Sequence, residues 1–124
     1  MQFKIDTKEK IVVLRLEEPA LDAKMSEELL READGLPELA EKNLILDLGS
    51  VQSVAPEGLK AIFTVYSRQY DRGLSAAVAH LNSDLTAELA AQYPEMLNVV
   101  PTLSEAIDMV MMEDLERELN MDEE

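Results

Sequence analysis

Residues 44–59 read LILDLGSVQSVAPEGL, and within them an apolar run turns abruptly into the opening of an amphipathic helix. Leu44, Ile45, Leu46 and Leu48 have the character of a strand buried on both faces, and Gly49 to Ala55 then read as a short connection. Pro56 suits a first helical position, because its missing N–H is not needed there and its ring fixes a helical φ. Glu57 follows in the first turn, where a negative charge meets the positive end of the helix dipole. Ligands and partners of α/β sheets gather at such strand-to-helix junctions.

Downstream, Leu59, Ile62, Phe63, Tyr66 and Tyr70 fall at i, i+3, i+4, i+7 and i+11, which predicts a helix that Gly73 closes. Leu74 to Leu81 is rich in Ala and Val and reads as a strand covered on both sides. Ser83 or Asp84 is placed to cap a helix carrying Leu85 and Leu89, bounded by Pro94. Asn98 to Val100 reads as a short strand. Thr102 or Ser104 then opens a last helix with Leu103, Ala106, Ile107 and Val110 facing inward.

Upstream, Phe3 and Ile5 alternate with polar neighbours, Ile11 to Leu16 is β-branched and apolar, and a short polar turn between them predicts a hairpin. From Asp22 the period changes: Leu21, Met25, Leu29 and Ala33 step by four along one side of a helix that ends at Gly35 and Pro37. The order β-β-α-β-α-β-α-β-α predicts an α/β domain with an opening hairpin, a mixed, mostly parallel sheet of about four or five strands, and about four helices.

The length of 124 residues fits one domain, and a hydrophobic fraction of 47% supports a core. The expected division is a domain over residues 1–112 and an acidic C-terminal extension over 113–124, where seven acids face Arg117 alone. That extension reads as a solvated, fraying helix end. The formal charge of −15 repels phosphate backbones and anionic lipid, which argues against nucleic acid and against direct membrane insertion. With no Cys there is no disulfide, thiolate metal site or thiol nucleophile. No signal-peptide core and no apolar run of spanning length is present, so a cytoplasmic location is expected.

Several separate segments resemble a STAS domain, the fold of anti-sigma factor antagonists and of sulfate-transporter cytoplasmic domains. The family commonly places a Leu-Asp pair after its second strand, where Leu21 and Asp22 stand. It follows the third strand with L-D-L-S-G-V-x-F-I-D-S-S-G-L, against which Leu46 to Leu59 keep Gly58 and the flanking apolar positions. Asn98 to Ile107, NVVPTLSEAI, is similar to the family's last strand and the entry to its final helix.

In the antagonists the second Ser of D-S-S-G accepts phosphate from a partner kinase that is also the anti-sigma factor. The resemblance puts that acceptor on Glu57, the first Ser on Pro56 and the Asp on Ala55. Glutamate has no hydroxyl, so the usual acceptor chemistry is excluded there. Glu57 then either imitates a phosphorylated residue, incompletely because phosphoserine carries about −1.5 to −2 charge, or is simply a favourable first-turn acid. Ser50 and Ser53 are the alternative hydroxyls, although both suit capping roles better and neither matches the acceptor position.

The resemblance implies a non-enzymatic regulatory module that binds a protein through Ser53, Val54, Ala55, Pro56, Glu57 and Gly58, with Lys60, Thr64 and Ser67 as the rim. Its implied partner is an anti-sigma factor of the GHKL kinase type. A STAS subunit that grips the ATPase of an ABC lipid transporter is the alternative, and a small-molecule sensor is a third reading. No metal or cofactor is expected: the four glycines form no nucleotide fingerprint, and the carboxylates lack calcium-loop spacing. His80, the only histidine, has no evident acid partner in the sequence and is left outside the site. The run Met109, Met111, Met112, Leu115 and Leu119 suits an adaptable binding patch, or core packing with a homodimer contact.

Overall fold

Strand alternation sets the first element of the fold. In the computed structural model, which describes residues 2–122, β1 (Phe3–Thr7) pairs antiparallel with β2 (Ile11–Leu16), Phe3 opposite Leu16 and Thr7 opposite Val12. The apolar run becomes β4 (Asn43–Asp47), buried at every position and parallel to β2. β6 (Ala76–Ala79) and β7 (Val99–Val100) extend the sheet in parallel, in the order β1-β2-β4-β6-β7. The mixed five-stranded sheet with one antiparallel pair is therefore as the sequence predicts. Strand β6 is shorter than the Leu74–Leu81 expected.

Four helices cover it: α1 (Ala23–Asp34), α2 (Pro56–Asp71), α3 (Ser83–Gln92) and α4 (Leu103–Asp122). Residues of α1, α2 and α3 share one core with Val12, Leu14, Leu16, Leu44, Leu46 and Val78. On the opposite face, Ala106 and Val110 of α4 pack on Ile11, Val13, Ile45, Ala77 and Ala79. Apolar side chains alternate between these two cores along β2 and β4, so both strands are buried on both faces except at Arg15 of β2.

Helix ends follow capping chemistry. Asp22 lies one residue before α1 and accepts from the Met25 N–H at 2.8 Å. The α2 C-terminus has two bonds of a Schellman closure, Leu74 N–H to Gln69 carbonyl at 2.8 Å and Gly73 N–H to Tyr70 carbonyl at 3.0 Å, with Gly73 at φ +77°. Neither Ser83 nor Asp84 caps α3: Asn82 does, its side-chain oxygen taking the Leu85 N–H at 2.8 Å. Thr102 caps α4 as expected, accepting from Glu105 N–H at 3.1 Å.

Within residues 113–122 the helix continues and its inner side is tied to the domain. Asn98 donates to Glu113, as does the Tyr70 hydroxyl at 2.7 Å. Arg117 donates to Ser75 Oγ at 2.6 Å and to Asn43 Oδ1 at 3.3 Å, and Lys10 reaches Asp114 at 3.1 Å. Burial pushes the Glu113 carboxyl up, but donors from Asn98, Ser75 and Tyr70 outweigh it and hold the group below its ordinary value. A freely solvated end does not describe these turns. Glu123 and Glu124, the last of the predicted extension, lie outside the described residues.

Candidate functional site

Two very short strands build the junction that precedes α2. β3 (Ala20–Leu21) and β5 (Ser53–Val54) pair in parallel beside the main sheet, Ala20 opposite Ser53 and Leu21 opposite Val54. The connection read across Gly49 to Ala55 therefore contains a strand. The Pro19 carbonyl accepts from Gln52 N–H at 2.7 Å and Ser53 N–H at 3.1 Å, and the Leu21 carbonyl accepts from Ala55 N–H at 2.9 Å. Three backbone hydrogen bonds thus hold the approach to the helix.

Pro56 is the first residue of α2, as its chemistry requires, after Ala55 in extended backbone as the N-cap. Ala55 supplies no side-chain cap, so Glu57 is the acid of the first turn. Gly58 is buried, and a Cβ there would lie 2.6 Å from Val54 Cγ1 and 2.7 Å from the Leu21 carbonyl oxygen. Glycine is needed because the first turn of α2 sits directly on the β3–β5 pair.

Ser53, Pro56, Glu57 and Lys60 are exposed around this turn, while Val54 and Ala55 are half-buried. Thr64 and Ser67 continue along α2, half-buried, and their hydroxyls donate to the helix's own carbonyls, Thr64 to Lys60 at 2.7 Å and Ser67 to Thr64 at 3.3 Å. Beside the exposed turn runs a groove of about 330 Å³ between Val54, Pro56 and Leu59 on one wall and Glu88, Ala91 and Gln92 of α3 on the other. The α3 wall had no signal in the sequence, since its placement depends on tertiary packing such as the Phe63–Tyr93 stack, with ring centroids 4.4 Å apart.

The chemistry of the turn is limited. Residues 55–57 carry no hydroxyl, and the first turn presents the exposed Glu57 carboxylate at a helix N-terminus. Ser50 and Ser53 are exposed, Ser50 in the turn after β4 and Ser53 in β5. Among the described residues there is no cluster of three metal-ligating side chains, and no helix is long and apolar enough to cross a membrane.

A second polar centre was not evident from the sequence. Asp47, 2% exposed at the end of β4, accepts from Arg15 Nε at 3.0 Å, faces His80 Nδ1 at 3.0 Å and takes the Gly49 N–H at 3.1 Å. Burial alone raises the Asp47 pKa, yet the bonds from His80, Gly49 and Arg15 overcome it and hold the carboxyl below its usual value. His80 stands at φ +66°, a left-handed backbone uncommon for a side-chain-bearing residue. The acid partner that His80 lacked in the sequence lies 33 residues upstream. The usable signal was the strand register, which aligns Arg15 with Asp47 and Asp47 with Ala79. Strand parity puts Arg15 and Asp47 on the α4 face, so they are not part of the surface around Glu57.

No family model matches the sequence, and no curated protein does either. Solved structures do. An anti-sigma factor antagonist from Mycobacterium paratuberculosis superposes with a TM-score of 0.73 at 16% identity, over 89% of this chain and 93% of that one. The chain has the STAS fold. The phosphorylated form of the Bacillus cell fate determinant SpoIIAA matches at TM-score 0.67 and 14% identity, over 88% of this chain and 99% of its own. The murine solute carrier 26 family member A9, an anion transporter, matches at 0.69 and 17% over 82% of this chain, which spans only 18% of the transporter. The STAS fold thus occurs both as a separate antagonist and as a small part of a much longer protein.

Proposed function

We propose that this STAS-fold chain is a non-enzymatic regulatory module that binds a protein partner through the exposed turn Ser53–Lys60, in the manner of an anti-sigma factor antagonist but without the phosphorylation switch. The observation that carries the reading is Glu57, an exposed carboxylate in the first turn of α2 with no hydroxyl at residues 55–57. That acid is part of the sequence itself and needs no modification to be present. A surface whose partner choice depends on charge at that turn is therefore held in one state.

The β3–β5 support and the requirement for glycine at Gly58 fix the turn's shape, as a preformed docking surface needs. The groove against α3 gives an apolar recess beside the charge, a combination suited to a protein contact. The partner this reading favours is an anti-sigma factor of the GHKL kinase type; an ABC transporter ATPase is the competing partner.

Incubation with such a kinase and ATP tests the switch directly. Wild type is expected to remain unlabelled, and Glu57→Ser to gain label at residue 57. Labelling of wild type would move the acceptor to Ser50 or Ser53 and contradict the fixed-charge reading.

A further inference from the structure

The two faces of the sheet are covered unequally. Helices α1, α2 and α3 share one face, whereas the opposite core draws its helical residues from α4, which lies against β4, β6 and β7. The hairpin register places Asp6 beside Val13 and Lys4 beside Arg15 on this α4 face, and both β1 residues are exposed. The β1 side of the layer is therefore open. Grooves follow the opening, one of about 350 Å³ by Lys4, Val13 and Leu103 and one of about 500 Å³ by Met111, Met112 and Leu115.

The helix carries more apolar surface than its core contact uses. Ala106 and Val110 already face the sheet, yet Met112, Leu115 and Leu119 are 61%, 54% and 54% exposed. Residues 111, 112, 115 and 119 fall on one side of the helix. Met side chains adapt to varied partners, which suits them to a docking surface. The rim is acidic: among the described residues Asp108, Asp114 and Glu118 line the larger groove with Lys10, whose ammonium lies 3.1 Å from both Asp114 and Glu118.

We infer that this groove docks a basic amphipathic helix of another protein, laid beside α4 in the open half-layer with its apolar stripe on Met111, Met112, Leu115 and Leu119. Charge decides against a second copy of the chain, which would bring the same carboxylates and a formal charge of −15 of its own. The groove lies on the opposite face of the sheet from α2, so this site is separate from the turn around Glu57 and does not depend on its role.

Methyl NMR of the full chain, with methionines labelled, tests the inference. The probe is a synthetic helical peptide with Leu at i, i+3, i+4 and i+7 and Lys and Arg flanking the stripe; a control keeps the Leu and carries Glu flanks. The basic peptide is expected to shift the Met111 and Met112 methyl signals saturably while leaving those of Met25 and Met96, which pack in the other core. The exposed double substitution Met112→Gln and Leu115→Gln is expected to weaken binding by at least about tenfold with the fold's circular dichroism unchanged. Asp108→Asn should weaken it at low salt, and the difference should fade as salt screens the rim. Undiminished binding by the double variant, equal binding of the acidic peptide, or no binding of either would overturn the inference. So would concentration-dependent self-association that the double variant abolishes, since the groove would then belong to a second copy.

Discussion

At Gly58, the usual helix arithmetic changes sign. Replacing an interior helical glycine by alanine ordinarily gains about 0.5–1 kcal/mol, but the added methyl here meets Val54 Cγ1 at 2.6 Å and the Leu21 carbonyl at 2.7 Å. Gly58→Ala is expected to destabilise the protein by about 1–3 kcal/mol through overpacking, read by urea unfolding; a stabilised variant would mean that α2 does not sit on the β3–β5 pair. The sequence shows a glycine at this position, but not the reason for it. The reason is a strand of two residues, too short to leave a period.

The Asp47 carboxyl gives a pH prediction. Its folded pKa lies below the unfolded value of 3.8, so ionised Asp47 contributes stability above that value, and the contribution is lost as pH falls through the folded pKa. Asp47→Asn is expected to cost about 1.5–3 kcal/mol at neutral pH, with the difference from wild type closing below about pH 3.8 in acid titrations of denaturant stability. A constant gap down to the lowest pH would contradict the charged arrangement. Arg15, Asp47 and His80 are far apart in sequence and meet only because the strands align in register. For that reason no motif announced them.

At the scale of elements, the strongly periodic ones were legible: the hairpin, the α2 stripe from Leu59 to Tyr70, and β4 with its unbroken apolar character. What escaped was set by contacts between elements. The α3 cap fell on Asn82 rather than Ser83 or Asp84, since all three are capping residues in succession and only the backbone chooses among them. The inner side of α4 beyond residue 112 was masked by its acid content, because no local pattern shows that Glu113 and Arg117 meet Tyr70, Asn98, Asn43 and Ser75. Arg117→Ala should therefore destabilise by about 1–2 kcal/mol, while Glu116→Ala, exposed one residue away, should stay within about 0.5 kcal/mol. Equal effects in thermal or denaturant unfolding would show that these turns are not anchored.

At the scale of the molecule, order and spacing along the chain pointed to the STAS fold even though residues 55–57 depart from the family's D-S-S pattern. The fold needs glycine where α2 meets the β3–β5 pair and apolar residues in two core layers; it does not need Ser at the first turn of α2. Function is freer to change than the frame that holds it. The exposed turn was legible as a location, whereas its α3 wall, Glu88, Ala91 and Gln92, was not.

The most direct measurement is a pull-down from the native cell extract with wild type, Glu57→Ser, Glu57→Ala and Lys60→Glu, with retained proteins identified by mass spectrometry. The fixed-charge docking turn predicts that wild type retains a GHKL-type kinase or an ABC ATPase and that the substitutions at Glu57 and Lys60 change the amount retained. Retention of neither protein, or retention of one in equal amounts by all four, would contradict it.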